Sequence, residues 1–279
     1  MKWRCRHKVL DLSRPVVMGI LNVTPDSFSD GDRYATVAAA LERARQMEEE
    51  GAMIIDVGGE STRPGAEGVD EAVEIARVVP VIQGIAATSE IAISIDTSKP
   101  KVMAAAVAAG ACIVNDVNAL RAPVARSWAA VAEVGVCLMH MQGEPRTMQY
   151  NPHYDDVVRE VGEFLMRERD ACIQAGIAHE AIALDPGLGF GKTLAHNLTL
   201  LKELARLAAF GAPLLVGVSR KSFIGKVLGR SVDERLYGGL GLAALAVANG
   251  ARIIRTHDVA ATRDAIGMVS AVLQGTEIE

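Results

Sequence analysis

Acidic, amide and basic side chains recur in this sequence at one kind of place. Asn22, Asp56, Asp96, the pair Asn115 and Asp116, His140, Asp185, Ser219 with Arg220, and Arg255 with His257 stand at or near the ends of short apolar runs. Carboxylates accept hydrogen bonds, and an amide both donates and accepts. Asp96, Asn115 and Asp185 therefore suit a flat heterocycle carrying an amino group and ring N–H groups. Arg255 and His257 lie two residues apart, so on a strand they share one face. With Lys221 and Arg63 they would make an electropositive rim able to hold a phosphate or diphosphate. Plainer readings stand beside these. Asp96 and Asp185 can cap helices, and Arg63 and Arg220, each taken alone, can be solvated surface groups. Caps do not account for polar ends on eight runs in succession.

The runs that must position these groups are Val16–Val23, Met53–Gly58, Ile91–Thr97, Cys112–Val117, Val136–Met141, Ala181–Leu188, Leu214–Arg220 and Ile253–Val259. Each has the length of a strand and is apolar enough to be buried on both faces. Between them lie helical stretches: Ala38–Glu50, Val69–Ala87, Pro100–Ala109, Asp155–Ala175 and Asn197–Phe210, most followed by a glycine stop. Eight strands alternating with helices over roughly 250 residues predict a (β/α)8 TIM barrel. A doubly wound open sheet is the alternative. The expected organisation is one domain over residues 1–279, with a lead-in at 1–14 and the barrel at about 15–273. In such a barrel the catalytic groups come from the C-terminal ends of the strands, so the polar ends predict an enzyme.

Composition narrows the classes. The chain has 279 residues, 50% hydrophobic and 23% charged, with a net charge of −5. That excludes a disordered chain and counts against nucleic-acid binding, as does an aromatic content of 4%. No apolar run approaches a membrane span, and no secretory signal is visible. Cys5, Cys112, Cys137 and Cys172 have no metal-ligand spacing, which fits a reducing cytoplasm. Pro186–Thr193 fails as a phosphate loop because Pro186 replaces the first glycine, and Gly239-Leu240-Gly241 does not follow a strand. Thr24–Gly31 and Ser61–Gly68 are rich in turn formers and are expected to act as lids, with Phe28 an aromatic in the first.

Gly19–Gly31, Gly58–Gly65, Ser94-Ile95-Asp96-Thr97, Asn115-Asp116-Val117, Asp185–Lys192, Ser219–Ile224 and Arg255–Val259 occur in that order along nearly the whole chain. In these motifs the sequence closely resembles the dihydropteroate synthases. The resemblance implies a barrel that joins 6-hydroxymethyl-7,8-dihydropterin diphosphate to 4-aminobenzoate, with sulfonamides as inhibitors and a homodimer as the usual assembly. It implies Asp96, Asn115, Asp185 and Lys221 around the pterin, and Asn22 on Mg2+. Thr62, Arg63, Arg255 and His257 would surround the diphosphate. Phe28, Thr62, Pro64, Phe190, Lys221 and Ser222 would surround the aminobenzoate, and Asp30 joins Asp96, Asp185 and Lys221 as catalytic. A methyltetrahydrofolate methyltransferase would share the Asn/Asp set but has no use for a diphosphate site. Loss of Asn22, Asp30, Lys221 or Arg255 would mark a silent pterin-binding scaffold, and all four are present. Gly31-Asp32 and Thr256 depart from the family's commoner residues without touching that set.

Overall fold

The computed structural model describes residues 1–24, 33–60, 68–144 and 147–275, with residues 33–35 described in backbone only. Two short strands, β1 (Lys2–Cys5) and β2 (Lys8–Asp11), pair antiparallel as a hairpin. Eight strands follow: β3 (Val16–Asn22), β4 (Ile54–Gly58), β5 (Ala92–Asp96), β6 (Ile113–Asp116), β7 (Gly135–Met139), β8 (Ile182–Asp185), β9 (Leu215–Gly217) and β10 (Ile253–Thr256). All are parallel and are hydrogen-bonded in the order β8-β7-β6-β5-β4-β3-β10-β9. The two ends meet in a parallel bridge between Leu184 and Leu214, beside the 2.9 Å bond from the Leu184 N–H to the Pro213 carbonyl. Neighbours in space are thus neighbours in sequence all the way round. A doubly wound sheet reverses its order at a switch point; this one closes as a barrel.

The helices outside it are α1 (Arg33–Glu49), α2 (Glu71–Thr88), α3 (Pro100–Ala109), α4 (Pro123–Ala132), α5 (Val157–Gln174), α6 (Leu194–Lys202), α7 (Leu204–Ala208), α8 (Ser222–Leu228), α9 (Leu236–Ala248) and α10 (Val259–Gln274). Their boundaries follow local chemistry. The Asp70 carboxylate accepts the Ala72 N–H, and Asp156 accepts from Val158 and Arg159, while Pro100 and Pro123 open α3 and α4. The stretch expected as one helix at Asn197–Phe210 is two, α6 and α7, parted at Glu203; nothing in the local sequence marks the break.

Alternation along the strands separates two cores. Outward residues such as Val17, Ile55, Ile93 and Val114 pack against the helices. Inward residues Met18, Ile54, Ile113, Cys137, Ala183 and Leu215 form an inner core with Trp3, Cys5, Leu10 and Leu12 of the hairpin. The hairpin is therefore the floor of the barrel. Trp3 is fully buried there, and its Nε1–H donates to the Ala181 carbonyl at 2.9 Å. Gly135 makes room for the end of β1: a Cβ at that position would lie 2.5 Å from Cys5 Sγ.

Candidate active site

Above the apolar inner core the barrel lining turns polar, at the C-terminal ends of the strands. Strand register builds the first row. Asn22 pairs with Gly58, Gly58 with Asp96, and Asp96 with Asn115, which sets four inward positions side by side across β3, β4, β5 and β6. Gly58 leaves the middle of that row open. A Cβ there would sit 3.6 Å from Asn22 Oδ1 and 3.7 Å from Asp96 Cβ.

One layer below lies Asp56, which is fully buried. Its Oδ2 accepts from Asn115 Nδ2 at 3.0 Å and from Arg255 Nε at 2.6 Å. Arg255 Nη2 donates to Asp96 Oδ2 at 2.7 Å. One guanidinium thus spans two carboxylates from different strands. Burial disfavours that cation, but Asp56 and Asp96 outweigh burial and hold it above its ordinary range. Burial pushes the Asp96 carboxyl up to about 7, against the pull of Arg255 and with the push of Asp56. Asp56 Oδ1 and Asp96 Oδ1 are buried and have no hydrogen-bond partner among the described residues, so the cluster retains acceptor capacity. Arg255, expected among the basic groups at the mouth, is the keystone of this ionic layer. The capping alternative for Asp96 is excluded, because α3 is capped by Lys99, whose side chain makes no capping bond. Asp116 does serve as a turn acceptor, taking the N–H groups of Asn118 and Leu120.

Asp185 closes β8 on the opposite side of the mouth. Its Oδ1 accepts the Gly187 N–H at 2.7 Å, and burial raises its pKa. Lys221, at the N-terminus of α8, places its Nζ 4.2 Å from the centre of the Phe190 ring. Burial lowers the Lys221 pKa to about 8, with Asp185 opposing. Phe190 also packs on Val117, Met139, Met141 and Met148, an apolar wall beside Asp185. Ser222 begins α8, next to Lys221. His257 Nδ1 lies 3.0 Å from Ser219 Oγ, which also accepts the His257 backbone N–H at 3.2 Å, and Arg43 Nη2 reaches the His257 carbonyl at 3.1 Å. Arg220 pairs with Asp258 in an exposed ion pair, the plain surface reading. Phe28, Asp30, Thr62, Arg63 and Pro64, with all of both expected lids except Thr24 and Gly68, lie outside the described residues.

Asn22, Asp96, Asn115, Asp185, Lys221, Phe190, Arg255 and His257 therefore gather at one end of the barrel. Strand-end reading noted Asp56 and Ser219 but gave them no task, and it passed over Met139. The signal for Asp56 was a carboxylate inside the apolar run Met53–Gly58, at the parity of the row above it. For a metal, no cluster of three or more His, Cys, Asp or Glu side chains exists among the described residues. The Asn22 amide makes no hydrogen bond to another described residue and stands beside the Gly58 opening. A lone oxygen donor suits Mg2+, which keeps several waters and takes substrate phosphates as ligands.

Residues 18–257 match the family described as pterin binding enzyme. The chain is 51% identical to dihydropteroate synthase of Escherichia coli K12 over 277 residues, 99% of this chain and 98% of that one. Among solved structures it is similar to Yersinia pestis dihydropteroate synthase with a sulfonamide drug complex, at a TM-score of 0.93 and 47% identity, covering 98% and 100% of the two chains. It is equally similar to Xanthomonas albilineans dihydropteroate synthase with 4-aminobenzoic acid, at a TM-score of 0.93 and 48% identity over 99% of each.

Proposed function

The chain belongs to the dihydropteroate synthases among the pterin-binding enzymes, and from that premise we propose how its residues divide the work. The reaction joins 6-hydroxymethyl-7,8-dihydropterin diphosphate to 4-aminobenzoate and yields 7,8-dihydropteroate and diphosphate. The observation that carries the division is the buried polar layer of Asp56, Asp96, Asn115 and Arg255, facing Asp185 and Lys221 across the mouth.

In this reading Asp96, Asn115 and Asp185 bind the pterin, their acceptors meeting the amino and ring N–H edge. Lys221 donates to the ring on the other side. The C–O bond to the diphosphate then breaks, and its electron pair leaves with the diphosphate. The cation left on the pterin methylene is stabilised by the carboxylates of Asp96 and Asp185, held in a low-dielectric pocket. The aminobenzoate nitrogen attacks that carbon and releases a proton. Arg255, His257 and Arg63 hold the departing diphosphate. Asn22 would hold Mg2+, whose charge would make the diphosphate a better leaving group. Phe190, Lys221 and Ser222 form one side of the aminobenzoate site, and Phe28, Thr62 and Pro64 the other. Asp30 joins the catalytic set from the first loop.

Two further parts of the reading concern assembly and place. On α9, Tyr237 and Leu245 are exposed, and nothing approaches the Cβ position of Gly241 between them; on α10, Met268 and Val272 are exposed. That exposed apolar face supports a homodimer in which a second copy of the chain would cover it. No helix of the described residues is long and apolar enough to cross a membrane, and the four cysteines are buried and unpaired, which supports a cytoplasmic enzyme. Purified protein given both substrates and Mg2+ should release diphosphate and form dihydropteroate. No product from folded protein would end the enzymatic assignment.

A further inference from the structure

Lys192 is 3% exposed and has no task in the scheme above. Its Nζ lies 2.9 Å from His140 Nδ1, 2.9 Å from the Phe190 carbonyl, 3.0 Å from the Gly187 carbonyl and 3.3 Å from the His140 carbonyl. All four are acceptors. Burial, with the nearby Lys192 charge, drives the His140 pKa down to about 2 and keeps that imidazole neutral. Burial also lowers the Lys192 pKa, to about 7.

The carbonyls belong to two segments, the exit of β7 and the turn after β8. The turn carries three glycines in left-handed conformation, Gly187 (φ 63), Gly189 (φ 85) and Gly191 (φ 59). It lies backbone against backbone on residues 140–142. A Cβ at Gly187 would come 1.9 Å from the His140 oxygen, and one at Gly191 would come 2.5 Å from the Gln142 oxygen. Three carbonyl dipoles thus converge on the one buried Lys192 ammonium, and buried carbonyls need a donor. Among the described residues only Lys192 answers all three. The same turn carries Phe190, whose ring faces Lys221, and the Gly187 N–H that orients Asp185.

We propose that Lys192 is a positioning residue: its buried ammonium, together with His140, locks the Gly187–Gly191 turn and so fixes Phe190 for the arylamine substrate. The proposal rests on the reading of Phe190 as an aminobenzoate contact. Two substitutions separate it from general stability. Lys192→Met keeps length and apolar body but removes the donors. His140→Phe keeps a ring for the edge contact with Phe164 and the tilted contact with Tyr154 but removes one acceptor.

In ligand-free protein the Phe190 N–H donates to the Gly187 carbonyl at 3.0 Å. Its hydrogen exchange should quicken at least tenfold in Lys192→Met and severalfold in His140→Phe. In turnover, the KM for 4-aminobenzoate should rise about tenfold in Lys192→Met. The KM for the pterin diphosphate should rise less than that for 4-aminobenzoate, because only Asp185 leans on the turn, through the Gly187 N–H, while Asp96 and Asn115 stand on other strands. Unchanged Phe190 exchange in folded Lys192→Met overturns the lock, and so do equal rises in both KM values. Should Lys192→Met not fold, His140→Phe decides on the same two readings. The exchange measurement needs no substrate, so it stands even if the wild-type protein proves inactive; that inactivity would count against the function and not against the lock.

Discussion

Replacing Asp185 by asparagine tests the pterin site most sharply, because the structure dictates which way the new amide must turn. Asp185 Oδ1 accepts the Gly187 N–H at 2.7 Å, and its other oxygen makes no hydrogen bond to a described residue. An amide at 185 has to offer its oxygen to Gly187, since the reverse orientation would face two donors at each other. The NH2 group then points where the free oxygen stood, toward the ligand. One charge-assisted hydrogen bond is lost, worth about 1.5–3 kcal/mol, and a ligand donor is left facing a donor, at about 1–3 kcal/mol more. The sum is on the order of 3 kcal/mol or above, more than a hundredfold in affinity. Stability should change by about 1 kcal/mol or less, because relief from burying a carboxylate offsets the lost attraction to Lys221 and Lys192. Calorimetric titration with a free dihydropterin, alongside urea denaturation, measures both quantities. A loss of affinity under threefold would show that Asp185 only shapes its turn.

Two more outcomes follow from other parts of the fold. Asp96 sits at about 7 in the folded protein against an ordinary 3.8, so the native state holds an extra proton between those values; its stability contribution is complete below about 4 and is lost as the pH rises through 7. Urea midpoints from pH 4.5 to 8 should show that decline in wild type and not in Asp96→Asn, while pterin affinity, which needs the carboxylate, rises through the same window; parallel curves for the two proteins would refute it. Trp3→Ala removes a fully buried indole and its bond to Ala181, and should cost about 3–5 kcal/mol. With the floor far from the strand ends, kcat should stay within twofold, and a stability loss below about 1 kcal/mol would mean that the hairpin does not seal the barrel.

The eight strands were legible because each is apolar on both faces, a pattern that burial by helices outside and side chains inside demands. Their polar ends were legible for the same reason, since a carboxylate in such a run has few explanations. The partners of those ends were not legible. Arg255 meets residues 199 and 159 positions away, and no local pattern records which carboxylate it reaches. Lys192 showed only as part of a glycine-rich stretch, because its meaning depends on His140, 52 positions earlier and at the exit of the neighbouring strand. The helix α4 went unread because Glu133, and not a glycine, takes the left-handed position at its end, so the stop signal that marks most of the other helices is missing.

The floor of the barrel carries a consequence for synthesis on the ribosome. The hairpin is made early, but the groups it docks on, near Glu133 and at Ala181, come much later; 178 positions separate Trp3 from its acceptor. At roughly 5–20 residues per second the indole waits on the order of ten seconds or more without its partner. A two-stranded hairpin is at best marginally stable alone, so during that interval Trp3, Leu10 and Leu12 are open to chaperones. Docking of the hairpin therefore reports that β7 and β8 have been made and have found their places. A chain stalled before Ala181 keeps its indole without that partner, and the barrel without its floor.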